Sequence, residues 1–149
     1  MVYASNKKAH FDYTIVDTLE AGIVLSGSEV KAVRNGLMNL KGTFVAVYAD
    51  HAELLNAHIG QYKYSVGKEL YYDPTKSRKL LLHKREIAYL QGKKQEEGLT
   101  IVPLSVYTKG RQIKVEIGLA KGKKLYDKRE SIKDREVKRE MSRRIKGEY

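Results

Sequence analysis

The 149-residue sequence contains no cysteine, which excludes disulfide bonds, zinc knuckles and catalysis by a thiol. It also contains no apolar run near the roughly 20 residues that a membrane-spanning helix requires. Residues 1–8 lack the apolar stretch of a signal peptide. From these absences we expect a cytoplasmic protein that has no membrane partner.

The sequence also lacks the usual equipment of an enzyme. None of its four histidines has the spacing of a metal-ligand set or of a catalytic triad. Its glycines form neither a Walker loop nor a dinucleotide-binding loop. The sequence therefore predicts no catalytic residue, no metal and no cofactor.

Positive charge is what the sequence has in excess, with 29 Lys and Arg against 18 Asp and Glu. The last 29 residues carry 12 of the basic and 6 of the acidic side chains and contain little material for a core. The preceding 120 residues are enough to bury one. We therefore predict a globular body over residues 1–120 and a basic tail over residues 121–149. This charge favours a polyanionic partner, RNA or DNA.

The pattern of apolar residues predicts that the body consists mainly of antiparallel strands. The last hairpin has the clearest signal, because its apolar residues recur with a period of two. Gly22 indicates either a bulge or a close approach of two backbones. The predicted strands are Phe11–Val16, Ile23–Leu25, Thr43–Tyr48, Ala52–Ile59, Leu99–Tyr107 and Ile113–Leu119.

Two short helices are predicted between the strands. Ser26 and Glu29 have the spacing of a capping box, and Asn35-Gly36 offers a left-handed stop. A second helix is predicted from His83 to Lys94. Together these elements predict a mainly β (α+β) fold with two or three short helices, and a small Greek-key barrel of the OB type is the best match, since full or partial closure protects the sheet edges. The helical residues expected to face inward are Val30, Val33, Leu37, Ile87 and Leu90.

The tyrosines have two interpretations. A tyrosine ring can stack on a nucleobase, because every base presents a π-face. It can also pack into the core with its hydroxyl at the surface. Packing is favoured for three tyrosines in predicted strands, namely Tyr13, Tyr48 and Tyr107. Both interpretations stay open for the four in the middle of the chain, namely Tyr62, Tyr64, Tyr71 and Tyr72.

The tail carries one apolar repeat, formed by Val137, Met141 and Ile145 at intervals of four residues. So narrow a stripe does not sustain a free helix without tertiary support. We therefore expect the tail to be disordered alone and helical in a phosphate-lined channel. A tail that only improves solubility is the alternative, and it leaves the repeat unexplained.

Nine short stretches, spread in order along nearly the whole chain from Asn6 to the tail, carry a family resemblance. The sequence resembles the SsrA-binding proteins, the small protein B family of bacteria. The stretches are Asn6-Lys7-Lys8-Ala9, Leu19-Glu20-Ala21-Gly22-Ile23, Gly27-Ser28-Glu29-Val30-Lys31, Arg34-Asn35-Gly36, Asn39-Leu40, Asp73-Pro74-Thr75, Arg78-Lys79-Leu80-Leu81-Leu82-His83, Gly118-Leu119-Ala120-Lys121-Gly122-Lys123-Lys124 and Tyr126-Asp127-Lys128-Arg129.

The resemblance implies a non-enzymatic partner of transfer-messenger RNA (tmRNA) in trans-translation, which rescues ribosomes stalled without a stop codon. It implies an OB-like closed antiparallel barrel with about three flanking short helices, and this body is expected to bind the tRNA-like domain of the RNA. The complex is then expected to enter the vacant A site, where the tail occupies the decoding centre and the empty mRNA path. The expected partners are therefore tmRNA and the ribosome, and we expect a monomer.

The resemblance also implies site residues. Asn6, Lys7, Lys8, Glu20 and Leu81 match positions for RNA binding. Many relatives have histidine at the position of Tyr126, so a role that depends on gaining a proton does not transfer to this chain. The residues implied for ribosome binding by the tail are Lys121, Gly122, Lys123, Lys124, Tyr126, Asp127, Lys128, Arg129 and Ile145.

Physical chemistry limits what three of these residues can do. Glu20 is acidic, so it must accept from a base or ribose donor or orient a neighbour. Leu81 lies in an aliphatic run, where core packing is the alternative to RNA contact. Asn6 has the residue type of a helix N-cap. For the whole protein, the alternatives are a general RNA- or ribosome-binding module of OB type and, less favoured, a ribonuclease.

Overall fold

The computed structural model describes residues 1–62 and 72–122. Within these ranges the fold is mainly β with three helices, as the sequence predicts. The elements in chain order are β1 (Val2–Ser5), α1 (Lys7–Asp12), β2 (Tyr13–Ile23), α2 (Gly27–Arg34), β3 (Met38–Asn39), β4 (Phe44–Val47), β5 (Ala52–Leu55), β6 (His58–Ile59), β7 (Arg78–Leu81), α3 (Lys84–Glu97), β8 (Thr100–Lys109) and β9 (Gln112–Gly122).

Seven of the strands form one antiparallel sheet with the order β1-β8-β9-β2-β7-β5-β4, and β3 pairs separately with β6. Strands β2, β8 and β9 are long and form the centre of the sheet. In the part of the chain that the structure describes, no ladder joins the edge strands β1 and β4. Strand β4 instead contacts β8, so the sheet curves back on itself.

Both predicted hairpins are confirmed. Strands β4 and β5 pair through Val47 and Ala52 next to the turn, and β8 and β9 pair through Lys109 and Gln112. Gly110 in the second turn has φ = +63°, which glycine adopts without steric cost. The predicted strand Ala52–Ile59 is divided into β5 and β6, because Asn56 has φ = +65° and ends the first ladder, and His58–Ile59 then pairs with β3 instead.

The N-terminal region differs from the sequence prediction. A strand beginning at Phe11 is wrong, since Phe11 lies in helix α1. Strand β2 continues through Gly22, where the sequence predicted a break between two strands. The irregularity in its pairing with β9 lies nearer its start, between Ile15 and Asp17. Gly22 instead pairs with Leu81 of β7, and its lack of a side chain makes room there, because a Cβ at Gly22 would lie 3.1 Å from the Cβ of the Leu81 side chain.

The ends of α2 follow the predicted signals, whereas α3 runs to Glu97, three residues past its predicted end at Lys94. The hydroxyl of Ser26 accepts from the backbone N–H of Glu29, and the Glu29 carboxylate accepts from that of Ser26, so the capping box is confirmed. Helix α3 ends at Gly98, which has φ = +62°. Ile87 and Leu90 are buried as predicted, whereas Leu37 lies beyond α2 and is 41% exposed.

Two hydrophobic clusters lie on opposite faces of the central strands. The larger one contains Ala21, Val115 and Ile117 together with α2, α3 and the shorter strands. The smaller one contains Ala9 of α1, Val102 and Leu104 of β8, and Ala120 of β9. Helix α1 therefore covers one end of the sheet face that points away from the main core.

A buried ion pair links α2 to β7. Glu29 and Arg78 are each 2% exposed, and Arg78 Nη2 lies 2.8 Å from Glu29 Oε2. The guanidinium also donates to the backbone oxygens of Ala57 and Pro74 and to the hydroxyl of Tyr72. Burial raises the pKa of Glu29, but the hydrogen bonds from Ser26 and Arg78 outweigh it and hold this pKa below its usual value.

Candidate functional site

The candidate site is the sheet face opposite the main core, which we call the outer face; it consists of the outward side chains of β8, β9, β2 and β7. Helix α1 covers one end of it. At the other end, backbone pairing aligns four residues across four strands. They are Tyr107, Lys114, Gly22 and Leu81.

Leu81 is the most exposed apolar residue of this row. Its neighbour Leu80 is buried in the core, whereas Leu81 is 55% exposed, so core packing is excluded for its side chain. The backbone of Gly22 lies directly beside it. Because glycine has no side chain, the Leu81 side chain packs close to the backbone of Gly22, and both residues line two depressions of the surface.

Glu20 lies one row further along the outer face and orients a neighbour. Its carboxylate accepts a short hydrogen bond from the hydroxyl of Tyr107, and Lys109 Nζ lies 3.3 Å away. The hydrogen bond from Tyr107 is the main cause that lowers the pKa of Glu20. The pKa of Tyr107 is raised to about 12, mainly by burial and next by its hydrogen bond to the Glu20 carboxylate.

Asn6 is confirmed as a helix cap and is 8% exposed. Its Oδ1 accepts from the backbone N–H of Ala9, and its Nδ2 donates to the backbone oxygen of Pro103. The amide thus fixes α1 against β8. The next two residues, Lys7 and Lys8, are exposed, so Asn6 positions two cations at the covered end of the outer face.

The larger depression, with a volume of about 580 Å³, brings Glu20 and Leu81 together. Among the described residues, three lysines and three carboxylates line it, so this part of the lining is not strongly basic. His51 and His83 lie among them. The charged lining residues are Glu20, Asp50, Lys79, Lys84, Glu86 and Lys114.

Only the first two residues of the predicted tail lie within the described chain. Lys121 pairs with Thr14, and Gly122 pairs with Tyr13, so β9 extends two residues past the predicted end of the body. These two residues belong to the sheet. The other predicted tail residues, namely Lys123, Lys124, Tyr126, Asp127, Lys128, Arg129 and Ile145, lie outside the described residues.

The tyrosine predictions have mixed outcomes. Tyr13 packs against the smaller cluster as predicted, but Tyr48 is 43% exposed and core packing is wrong for it. Tyr72 has a structural role, since its hydroxyl donates to the backbone oxygen of Ile59 at 2.9 Å. Tyr62 packs against the main core. Tyr64 and Tyr71 lie outside the described residues.

Several outer-face residues were not identified as candidates from the sequence, namely Tyr107, Lys109 and Lys114. The alternation of apolar and polar residues in β9 indicates that Lys114 faces outward, because its neighbours Ile113 and Val115 are apolar and face inward.

Within residues 1–62 and 72–122, no group of three His, Asp or Glu side chains is placed to hold a metal ion. No helix there is long and apolar enough to cross a bilayer.

Comparisons with known proteins agree on one family. The model of the SmpB protein family matches residues 3–147. The SsrA-binding protein of Persephonella marina is 53% identical over 146 residues, covering 98% of this chain and 95% of its own. The SsrA-binding protein of Chloroflexus aurantiacus is 54% identical over 145 residues, covering 97% of this chain and 90% of its own. A solved structure described as "tmRNA-SmpB: a journey to the center of the bacterial ribosome" has a TM-score of 0.65 and 43% identity, covering 81% of this chain and 84% of its own.

Proposed function

Because the chain belongs to the SmpB family, we propose that it binds tmRNA and acts with it on stalled ribosomes in trans-translation. The observation that carries this proposal is similarity over nearly the full length to SsrA-binding proteins. The similar solved chain is described with tmRNA and the ribosome. The protein acts as a monomeric, non-enzymatic binding factor in the cytoplasm.

The outer face is the surface that we assign to the tRNA-like domain of tmRNA. Leu81 supplies an exposed apolar contact, and Glu20 holds the Tyr107 hydroxyl in place beside it. At the other end of the face, Asn6 holds Lys7 and Lys8 on α1. Such an arrangement combines phosphate contacts, which position an RNA, with contacts to bases, which specify it.

The sheet forms the OB-like barrel of this proposal. Support comes from the contact between β4 and β8, which brings the β4 edge of the sheet back against its centre. Closure of this kind protects sheet edges from pairing with other chains. It would also hold the central strands in the curvature that presents the outer face.

The tail carries the ribosomal part of the proposed function. Its excess of Lys and Arg suits the polyanionic decoding centre and mRNA path. We assign this role to residues from Lys121 onward, with Lys121 and Gly122 forming the connection to the sheet. The body then supplies RNA affinity, and the tail acts after binding.

A competition experiment tests the proposed partner. Full-length protein bound to labelled tmRNA is challenged with unlabelled tmRNA or with an equal mass of bulk tRNA. The salt concentration is fixed near physiological, because non-specific phosphate binding varies steeply with salt. We expect bulk tRNA to compete at least about tenfold less well, as a specific site predicts.

Equal competition by the two RNAs would contradict tmRNA specificity and would favour a general RNA-binding module. RNA length is recorded in the same samples after long incubation with Mg²⁺. Intact RNA is the expected result, and shortened RNA would instead favour the ribonuclease alternative.

A further inference from the structure

Tyr48 and His51 form an aromatic pair where the β4–β5 hairpin turns. Their ring centroids are 4.7 Å apart, and the ring planes differ by 22°, which is a stacked arrangement. Tyr48 is 43% exposed, so a large part of this aromatic surface faces solvent. We call Tyr48 and His51 the hairpin platform.

The platform is held in place from several sides. The backbone N–H of Tyr48 donates to the backbone oxygen of His51 at 2.7 Å, and the Gln91 side chain of α3 donates to the backbone oxygen of Tyr48. His51 Nδ1 lies 2.7 Å from Asp50 Oδ1, and Nε2 lies 3.5 Å from Glu53 Oε1. A ring fixed before binding loses little conformational freedom when a ligand stacks on it.

The platform also adjoins the proposed RNA surface. His51 lines the same depression of about 580 Å³ as Glu20 and Leu81, and Tyr48 stacks on His51 at its margin. An RNA strand lying over Leu81 would therefore share this depression with His51, on which Tyr48 stacks.

The balance of charge around the depression favours a nucleobase over a phosphate as the occupant. Lysine and carboxylate side chains are equal in number among the described residues that line it, and Asp50 and Glu53 flank His51 directly. Such a surface does not attract phosphate strongly. A nucleobase suits it better, because the flat face of a base stacks on a ring while its amino groups donate to carboxylates.

We propose that the hairpin platform stacks an unpaired nucleobase of the bound RNA, with the depression receiving its polar edge. This inference rests on the proposed function, since it takes tmRNA as the RNA. It adds a base-binding position that lies on the β4–β5 hairpin rather than on the central strands. Lys79, on the neighbouring strand β7 and exposed, is placed to meet the adjoining phosphate.

The test compares Tyr48→Leu with Tyr48→Phe in the full-length protein, using tmRNA as the probe. Leucine keeps apolar bulk but removes the π-face, whereas phenylalanine keeps the ring. We expect Tyr48→Leu to weaken tmRNA binding by about tenfold, as loss of one base–aromatic stack predicts. Tyr48→Phe should bind tmRNA within about twofold of the wild type, because the stacking ring is unchanged.

Two controls separate the platform from its alternatives. Thermal unfolding of each variant shows whether the hairpin still folds, because the Tyr48–His51 pair could serve only to stabilise the turn. In the wild-type complex, ultraviolet cross-linking followed by mass spectrometry should place a nucleotide on residues 48–51. This second measurement does not depend on any substitution.

Wild-type affinity for tmRNA in Tyr48→Leu would overturn the proposal, as would an equal loss in Tyr48→Phe. Absence of a cross-link within residues 48–51 would also overturn it, even where Tyr48→Leu proves unstable. Failure of the proposed function is distinguishable, because the wild-type protein itself would then show no preference for tmRNA.

Discussion

A chain ended after Gly122 is expected to bind tmRNA but to support no peptide tagging. Strand β9 ends at Gly122, so this cut removes no part of the described sheet and no outer-face residue. The lost segment carries 11 Lys and Arg against 6 Asp and Glu, so we expect tmRNA affinity to fall by less than about tenfold and its salt dependence to decrease. Tagging is measured in a reconstituted system with ribosomes stalled on an mRNA that lacks a stop codon.

The position of the cut matters for this experiment. A cut after Ala120 would also remove Lys121 and Gly122, which pair with Thr14 and Tyr13 of β2. Comparing the two truncated chains therefore separates the tail from the end of the sheet. Tagging by the chain that ends at Gly122 would contradict the assignment of ribosomal function to the tail.

Replacing Arg78 with Met is expected to destabilise the fold more than any surface substitution. The change leaves the Glu29 carboxylate buried without its main cation, and breaking a buried ion pair costs about 3–5 kcal/mol. For a chain of this length, the midpoint of thermal unfolding should fall by roughly 6–20 °C. Circular dichroism measures both quantities, and Lys79→Met on the same strand is the matched control, expected within about 0.5 kcal/mol of the wild type.

The effect of Arg78→Met should depend on pH in a defined direction. In the wild type the pKa of Glu29 is below its usual value of 4.5. The contribution of ionised Glu29 to stability is therefore present above pH 4.5 and is lost as the pH falls through the pKa that Glu29 has in the folded protein. In Arg78→Met, the hydrogen bond and the charge of Arg78 no longer oppose the effect of burial on Glu29. The pKa of Glu29 is therefore higher in this variant than in the wild type. The loss of stability should therefore be larger at pH 7 than at pH 4. An equal loss at both pH values would contradict the ion-pair explanation.

Local signals explain which elements could be predicted from the sequence. The capping box at Ser26 and Glu29 and the left-handed stop at Gly36 each depend on a few neighbouring residues, and the structure confirms both. Helix α1 was not assigned from the sequence, although Asn6 has the residue type of a cap, because a six-residue helix with one capping bond to Ala9 carries little local signal and Asn6 is also held by the backbone oxygen of Pro103, 97 residues away. Phe11 was assigned to a strand from its type alone, and packing of α1 on β8 overrode that preference.

The candidate site shows the same difference between what could be predicted from the sequence and what depends on contacts between distant parts of the chain. Family resemblance alone was sufficient to select Glu20 and Leu81 as candidates. Their roles needed the fold, since Glu20 meets Tyr107 across 87 residues of chain and Leu81 is exposed only because β7 alternates between core and surface. The predicted boundary at residue 120 followed charge composition, which carries no information about the pairing of Lys121 with β2.

The most direct test of the central claim is one set of tmRNA dissociation constants at fixed salt, for Leu81→Ala, Leu37→Ala and the chain ended after Gly122. Leu37 is the matched control, because it is an exposed leucine that lines neither depression beside Leu81. We predict that Leu81→Ala weakens tmRNA binding by about tenfold or more, as loss of a central contact does. Leu37→Ala should bind tmRNA like the wild type. The shortened chain should lose less tmRNA affinity than Leu81→Ala does. A shortened chain that loses more affinity than Leu81→Ala, or a Leu81→Ala protein that binds like Leu37→Ala, would contradict the assignment of RNA affinity to the outer face.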